Sequence, residues 1–159
     1  ERCSVIEVMG RHAGWIAMNV GIATGAESIL IPEVPYEFNR DVLRIILDGR
    51  NKGKKHYIVI VAEGVGHAED IAKQIEETTG IEARPTILGH LQRGGSPTLR
   101  DRTTASLMGI RAIDCISNKN FNRLVIERAG KIDDIDIEEG LSMTKTISEE
   151  FIKSARRLR

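Results

Sequence analysis

The sequence predicts an α/β fold, a three-layer sandwich in which helices cover both faces of a mainly parallel sheet. Short apolar runs rich in β-branched residues alternate with amphipathic stretches along most of the 159 residues. The run HYIVIVA (56–62) is almost wholly apolar, as expected for a central parallel strand that is buried on both faces. Repeated strand–helix alternation implies right-handed crossovers between parallel strands.

The first ninety residues carry the clearest signals. Besides 56–62, strands are predicted where apolar and β-branched residues cluster, at 4–8, 27–32 and 83–89. Helices are predicted between these strands, at 14–25, 39–49 and 68–80. Asn39 is the expected N-cap of the second helix, and Gly80 is the expected end of the third.

The C-terminal part is patterned less regularly. A long helix is predicted from about Pro97 to Ser117, with Ser96 as its N-cap and Pro97 in its first turn. Residues 123–127 (RLVIE) predict a weaker fifth strand. Ser148 can cap a final helix that runs through Leu158, whereas 128–147 is compatible with a loop, a short strand or a small helix.

Composition excludes several classes of function. Lys plus Arg and Asp plus Glu number 23 each and aromatic residues make up 4%, so neither nucleic acid nor an anionic membrane is an expected partner. No apolar run approaches the roughly 18 residues that span a bilayer. Cys3 and Cys115 lack metal-binding spacing and predict reduced thiols in a cytoplasmic protein. Because Glu1 leads almost directly into a strand, we expect a piece of a longer protein.

Charged residues follow three of the predicted strands. Met9-Gly10-Arg11 follows the first, Glu63 follows the central run, and the segment GHLQRGGSP (89–97) follows the fourth. Because ligands of parallel sheets bind at the carboxyl ends of the strands, these residues predict an anion site. Within 89–97, two glycines and a helix start favour close approach of an anion. A plain turn with solvated cations is the alternative, and composition does not separate the two.

Three segments, taken together, resemble a known family. EVMGRHAGWIA (7–17), KGKKHYIVIVAEG (52–64) and ILGHLQRGGSPTLRDR (87–102) are similar to the C-terminal half of bacterial 6-phosphofructokinases, and the likeness runs from Glu1 to about Ile116. The resemblance implies that residues 1–159 form the sugar-phosphate-binding and effector-binding half of such an enzyme. The ATP-binding half would then lie outside this sequence.

The resemblance also implies residue roles. Arg11 would bind fructose 6-phosphate and stabilise the phosphoryl group in transfer, while Glu63 would accept hydrogen bonds from sugar hydroxyls. Arg2 and Arg84 would reach a neighbouring subunit's 6-phosphate, which implies a homotetramer. The remaining substrate-binding positions implied are Met9, Gly10, His90, Leu91, Gln92 and Arg93.

A second site is implied for an allosteric effector, ADP or phosphoenolpyruvate. Glu27 would meet the magnesium ion of the effector. The other positions implied are Gly25, Ala26, Lys52, Lys54, Lys55 and His56. From composition alone, RNKGKKH (50–56) is more typical of a solvated surface loop than of a phosphate site.

The implied activity is phosphoryl transfer from ATP, with Mg²⁺, to the 1-hydroxyl of fructose 6-phosphate, giving fructose 1,6-bisphosphate in glycolysis. The catalytic base and the main Mg²⁺ site would lie in the missing half, so this piece would be inactive alone. Two alternatives stay open: a pyrophosphate-dependent phosphofructokinase and a non-catalytic subunit that binds sugar phosphate or nucleotide. Trp15 is interpreted as a packing residue, and the acidic run 132–140 as a solvated surface.

Overall fold

The computed structural model describes residues 1–158 and divides into two compact units. The first unit contains Glu1–Gly94 together with the described residues from Thr146 onward. The second unit contains Gly95–Lys145. The residues of the predicted anion site belong to the first unit. The exceptions are Gly95, Ser96 and Pro97, the last three residues of the segment 89–97.

The first unit is built on a four-stranded sheet. Its strands are β1 (Arg2–Val8), β2 (Ser28–Leu30), β3 (His56–Ala62) and β4 (Glu82–Ile87). They lie in the order β2-β3-β1-β4 and every neighbouring pair is parallel. The register places Val5 between Val59 and Pro85. The prediction of a parallel sheet is confirmed. β1 lies between β3 and β4, and the loops after these three strands are the ones predicted to form one site.

The helices of the chain follow the predicted order. In residues 1–158 they are α1 (Trp15–Thr24), α2 (Arg44–Asn51), α3 (Ala68–Thr79), α4 (Leu99–Ser117), α5 (Ile137–Ser142) and α6 (Glu149–Arg157). A π-helical turn at Asn39–Leu43 precedes α2, and a 3₁₀ turn at Gly89–Arg93 follows β4. None of these helices combines the length and the apolar character needed to cross a membrane.

Helices cover both faces of the sheet in the first unit. On one face, Cys3 and Val5 of β1 pack with apolar residues of α2 and α3, such as Ile46 and Ile75. On the opposite face, Val8 packs with residues of α1 and α6. Two separate cores on the two faces of one sheet make this unit the three-layer arrangement that the sequence predicts.

Helix ends follow the sequence in some places and depart from it in others. Gly25 and Gly80 end α1 and α3 in the left-handed conformation, with φ of 65° and 71°. The predicted cap at Asn39 is wrong, because the carboxylate of Glu37 accepts from the backbone N–H groups of Asn39 and Arg40. The predicted cap of α6 is confirmed, since Ser148 Oγ accepts from the N–H of Phe151 at 3.2 Å.

The predicted start of α4 is also wrong. The helix begins at Leu99, two residues beyond Pro97, and its N-cap is Thr98 rather than Ser96. Thr98 Oγ1 accepts from the N–H of Asp101, and Asp101 Oδ2 accepts in return from the N–H of Thr98 at 2.8 Å. This reciprocal capping box satisfies two free N–H groups at once, which a cap at Ser96 would leave unpaired.

The second unit contains a β-hairpin beside α4. The predicted fifth strand forms as β5 (Arg123–Arg128), but it pairs antiparallel with β6 (Lys131–Asp136) in a sheet of its own. Asp134, placed by the sequence on a solvated surface, is buried between Arg111 and Arg123. The hydrogen bond from Arg123 has the larger effect in lowering the pKa of Asp134, and the hydrogen bond from Arg111 adds to it. The arginines supply the charge that makes burial of this carboxylate tolerable.

Candidate functional site

Three adjacent strands end at one edge of the sheet and bring the predicted anion-binding residues together. Met9-Gly10-Arg11 follows β1, Glu63 follows β3, and the turn Gly89–Arg93 follows β4. Because β1 lies between β3 and β4, its loop can contact both neighbours. The structure therefore places these sequence-predicted residues at one edge, as expected for parallel sheets.

Backbone hydrogen bonds join the β1 and β3 loops. The N–H of Glu63 donates to the carbonyl oxygen of Val8 at 2.9 Å, and the N–H of Gly64 donates to the carbonyl oxygen of Gly10 at 3.3 Å. The N–H of Gly10 points to Glu63 Oε1 at 3.4 Å, a long contact. The carboxylate of Glu63 thus lies beside the segment that carries Arg11.

A side chain from the β4 loop holds the same segment on its other side. Gln92 Oε1 accepts from the N–H of Met9 at 2.7 Å. Gln92 is partly buried, whereas the neighbouring His90, Leu91 and Arg93 are exposed. The structure therefore gives Gln92 a contact with the protein backbone, and leaves the basic side chains of the turn facing solvent.

Both arginines of this edge are available to a ligand. Within residues 1–158, Arg11 and Arg93 form no ion pair and no side-chain hydrogen bond, and the same holds for the ring of His90. Arg11, Glu63, His90 and Arg93 are all exposed. Two unpaired guanidinium groups offer up to ten N–H donors in total, and the planar guanidinium group suits the geometry of a phosphate. A carboxylate beside them suits hydroxyl donors, so the edge can accommodate a phosphorylated polyol.

Arg2 and Arg84 lie elsewhere. Arg2 begins β1 while Met9 follows its end, so the two are separated by about 20 Å of strand. Arg2 and Arg84 both pair with Glu82, at 3.4 and 2.6 Å. Arg84 lies opposite Ser4 in the register, which puts both arginines on one face of the sheet. The structure groups these two arginines with each other and not with the edge that holds Arg11.

Three of the predicted effector residues line a cavity that is separate from this edge of the sheet, called here the second cavity. It has a volume of about 610 Å³, and Glu27, Lys52 and Lys54 line it. Glu27 accepts from the N–H of Ile58 at 2.6 Å and forms an ion pair with Lys54. Gly25, Ala26, Lys55 and His56 are not among its lining residues. The sequence missed four charged residues that do line it: Arg40, Asp41, Asp48 and Arg156.

Two carboxylates that the sequence did not single out hold the loops at this edge of the sheet. The N–H of Gly14 donates to both carboxylate oxygens of Glu33, at 2.9 and 3.1 Å, where the β1 loop enters α1. Glu7 accepts from the N–H of Ala68 at the start of α3. The sequence does contain a signal for Glu7, a charged residue where the alternation of Cys3 and Val5 calls for an apolar one.

Comparison with known proteins relates this geometry to a family. A family model described as Phosphofructokinase matches residues 1–116, the range over which the sequence resembles that family. An ATP-dependent 6-phosphofructokinase of Clostridium acetobutylicum is 49% identical over 158 residues, which is 99% of this chain and 49% of that protein. A protein of the same name from Clostridium botulinum is 52% identical over 152 residues, 95% of this chain and 47% of that protein. The likeness therefore continues beyond residue 116, and the chain spans about half the length of these curated relatives.

Solved structures show the same fold. Phosphofructokinase from Saccharomyces cerevisiae superposes with a TM-score of 0.82 at 34% identity, covering 99% of this chain and 23% of that one. Pichia pastoris phosphofructokinase in the T-state gives a TM-score of 0.78 at 31% identity, covering 99% of this chain and 20% of that one.

Proposed function

The chain belongs to the phosphofructokinase family, and we propose that it is the sugar-phosphate-binding half of an ATP-dependent 6-phosphofructokinase. The whole protein would transfer a phosphoryl group from ATP to the 1-hydroxyl of fructose 6-phosphate, a step of glycolysis. The observation that carries the proposal is the edge formed by β1, β3 and β4, where two unpaired arginines and a carboxylate follow three adjacent strands. The names of the Clostridium relatives support ATP rather than pyrophosphate as the donor.

The roles proposed for the site follow from charge and position. His90 and Arg93 hold the 6-phosphate end of the sugar, and Glu63 accepts from its hydroxyl groups. Arg11, on the neighbouring loop, lies against the phosphoryl group in transfer. Phosphoryl transfer depends mainly on positioning and on neutralising charge, which a guanidinium group can supply without exchanging a proton. Arg2 and Arg84 would bind the 6-phosphate held by a neighbouring subunit of a homotetramer.

The proposed donor site lies outside this chain. Among the described residues, no group of three or more His, Cys, Asp or Glu side chains could hold a metal ion. Because the chain spans about half the length of its curated relatives, we assign ATP, its Mg²⁺ and the catalytic base to the other half of the whole protein. The chain's own residues bind and orient the acceptor sugar.

The second cavity is the proposed effector site. Its lysines and Arg156 provide positive charge for the phosphates of ADP or phosphoenolpyruvate. Glu27 fits one ligand of an effector-bound Mg²⁺, because Mg²⁺ is commonly held by one or two carboxylates together with phosphates. Since Glu27 is already paired with Lys54, an arriving Mg²⁺ would have to displace that lysine. A cytoplasmic location fits an enzyme of glycolysis.

Calorimetric titration of fructose 6-phosphate tests the proposal. In phosphate-free buffer, we expect saturable binding to the full-length protein, weakened about tenfold or more by Arg93→Ala because a charged phosphate contact is lost. Arg44→Ala, which removes an exposed arginine on α2, is the matched control and should bind normally. Absence of saturable binding to the wild type would refute the substrate. Unchanged binding in Arg93→Ala would refute the assigned site. Titrating the 159-residue chain then tells whether this half binds the sugar alone.

A further inference from the structure

Glu7 is a charged residue in an apolar position. It follows Cys3 and Val5 on the face of β1 that packs against α3, and the residue is only 9% exposed. A carboxylate buried among apolar residues is costly unless it is hydrogen-bonded. The structure shows what Glu7 binds in that position.

The carboxylate of Glu7 caps α3. Glu7 Oε2 accepts from the N–H of Ala68, the first residue of α3, at 2.9 Å in a buried contact. His67, in the N-cap position, contributes no side-chain hydrogen bond to the helix. The free N–H groups and the positive end of the helix dipole favour an anion there, so a residue of β1 caps a helix sixty residues away in sequence.

This bond fixes one end of the loop that carries Glu63. The loop runs from Glu63 to His67, between β3 and α3. Its first N–H, that of Glu63, donates to the carbonyl oxygen of Val8, and the first N–H beyond it, that of Ala68, donates to Glu7. Both ends of the Glu63 loop are therefore tied to two consecutive residues of β1.

Glu7 also holds the loop that follows β4, on the other side of β1. Its carbonyl oxygen accepts from the N–H of Leu88 at 3.2 Å, immediately before the turn that carries His90 and Arg93. Its side chain is tied to the β3 side of the site and its backbone to the β4 side. The segment Met9-Gly10-Arg11 begins two residues further along the chain.

We propose that Glu7 is a positioning residue for the sugar-phosphate site. Its carboxylate fixes the position of the Glu63 loop relative to Arg11. The inference rests on the proposed function, because the sugar-phosphate site that Glu7 would position is itself proposed. Glu63 Oε1 lies 3.4 Å from the N–H of Gly10, and a small shift of the loop would change that relation. Misplacement of a binding group by about 1 Å is enough to weaken its action by orders of magnitude.

Two nearly isosteric variants of the full-length protein test the proposal. Glu7→Met keeps the length of the side chain and suits the apolar face, but it cannot accept from Ala68. Glu7→Gln loses the charge and keeps an acceptor oxygen. We expect Glu7→Met to raise KM for fructose 6-phosphate about tenfold or more, while the melting temperature falls only by the few degrees expected for loss of one helix cap. Glu7→Gln should stay within about threefold of the wild type.

The control is Ser148→Ala, which removes an N-cap of the same unit on α6 and should leave KM unchanged. Amide hydrogen exchange is the second readout. Glu7→Met should speed exchange at residues 63–68 and leave the exchange rates of the α6 amides unchanged. Wild-type KM and exchange in Glu7→Met would overturn the proposal, as would a Glu7→Gln variant as impaired as Glu7→Met. If the wild type does not phosphorylate fructose 6-phosphate, the proposed function fails, and exchange at 63–68 alone decides whether Glu7 positions the loop.

Discussion

Gly64 lies where a Cβ atom would stand 1.9 Å from the carbonyl oxygen of Arg11. Gly64 follows Glu63, and its N–H donates to the carbonyl oxygen of Gly10. The close approach of the β1 and β3 loops therefore depends on a residue without a side chain. The nearest atoms are backbone atoms, which cannot rotate away as the end of a side chain would.

Gly64→Ala should separate these two loops. We expect fructose 6-phosphate to bind about tenfold or more weakly and stability to fall by about 1–3 kcal/mol, because the backbone must move to admit the methyl group. Gly66→Ala is the control in the same loop, since a Cβ there meets no atom within 4 Å and the residue has no positive φ. Calorimetric titration and thermal unfolding measure both effects. Wild-type affinity in Gly64→Ala would mean that the loops need not touch for the sugar to bind.

Among the elements, α4 offers a direct comparison between the cap expected from the sequence and the cap that forms. Thr98→Ala removes the hydroxyl that accepts from the N–H of Asp101 and should cost about 1 kcal/mol of helix stability. Ser96→Ala removes the hydroxyl that the sequence favoured and should cost almost nothing. Thermal unfolding followed by far-UV circular dichroism compares the two variants. A larger loss from Ser96→Ala would contradict the capping box.

The alternation of short apolar runs with amphipathic stretches was sufficient to predict the parallel sheet and its helices, because each of those elements carries its own local pattern. It was not sufficient for β5, because RLVIE can pair with any free strand edge and the sequence does not say which. Its partner β6, KIDDID, lies in a stretch where the sequence left loop, short strand and small helix open, because three aspartates within six residues give low β-propensity. Asp134 becomes compatible with a strand only once Arg111 and Arg123 neutralise it.

In the candidate site at the ends of β1, β3 and β4, too, some residues could be predicted from the sequence and others could not. Its exposed charged residues stand in short motifs directly after strands, so the sequence pointed to Arg11, Glu63 and Arg93. The residues that brace them, Glu7 and Glu33, act on backbone N–H groups of other elements. Such contacts depend on how helices pack on the sheet, and local pattern does not contain that information.

At the scale of the whole molecule, the two units differ in how much they bury. In the second unit the buried residues are Cys115, Asp134 and Ile135, whereas two apolar cores fill the first. Many large apolar side chains of the second unit are exposed: Leu99, Leu107, Ile110, Ile113, Ile116, Phe121, Leu124, Ile137, Leu141 and Met143. Since burial of apolar surface supplies most of the stability of a fold, the second unit should open at a lower free energy than the first.

The two cysteines of the chain, one in each unit, can measure this difference. Cys3 is 1% exposed and burial raises its pKa to about 12; burial, followed by the charge of Asp134, also raises the pKa of Cys115. Both thiols are therefore protonated and unreactive near neutral pH until their surroundings open, after which each regains an ordinary pKa. We expect a thiol reagent in native buffer to label Cys115 about tenfold or more faster than Cys3, as peptide mass spectrometry can resolve. Equal rates would show instead that the two units open together, in which case the thin core of the second unit would not set its stability.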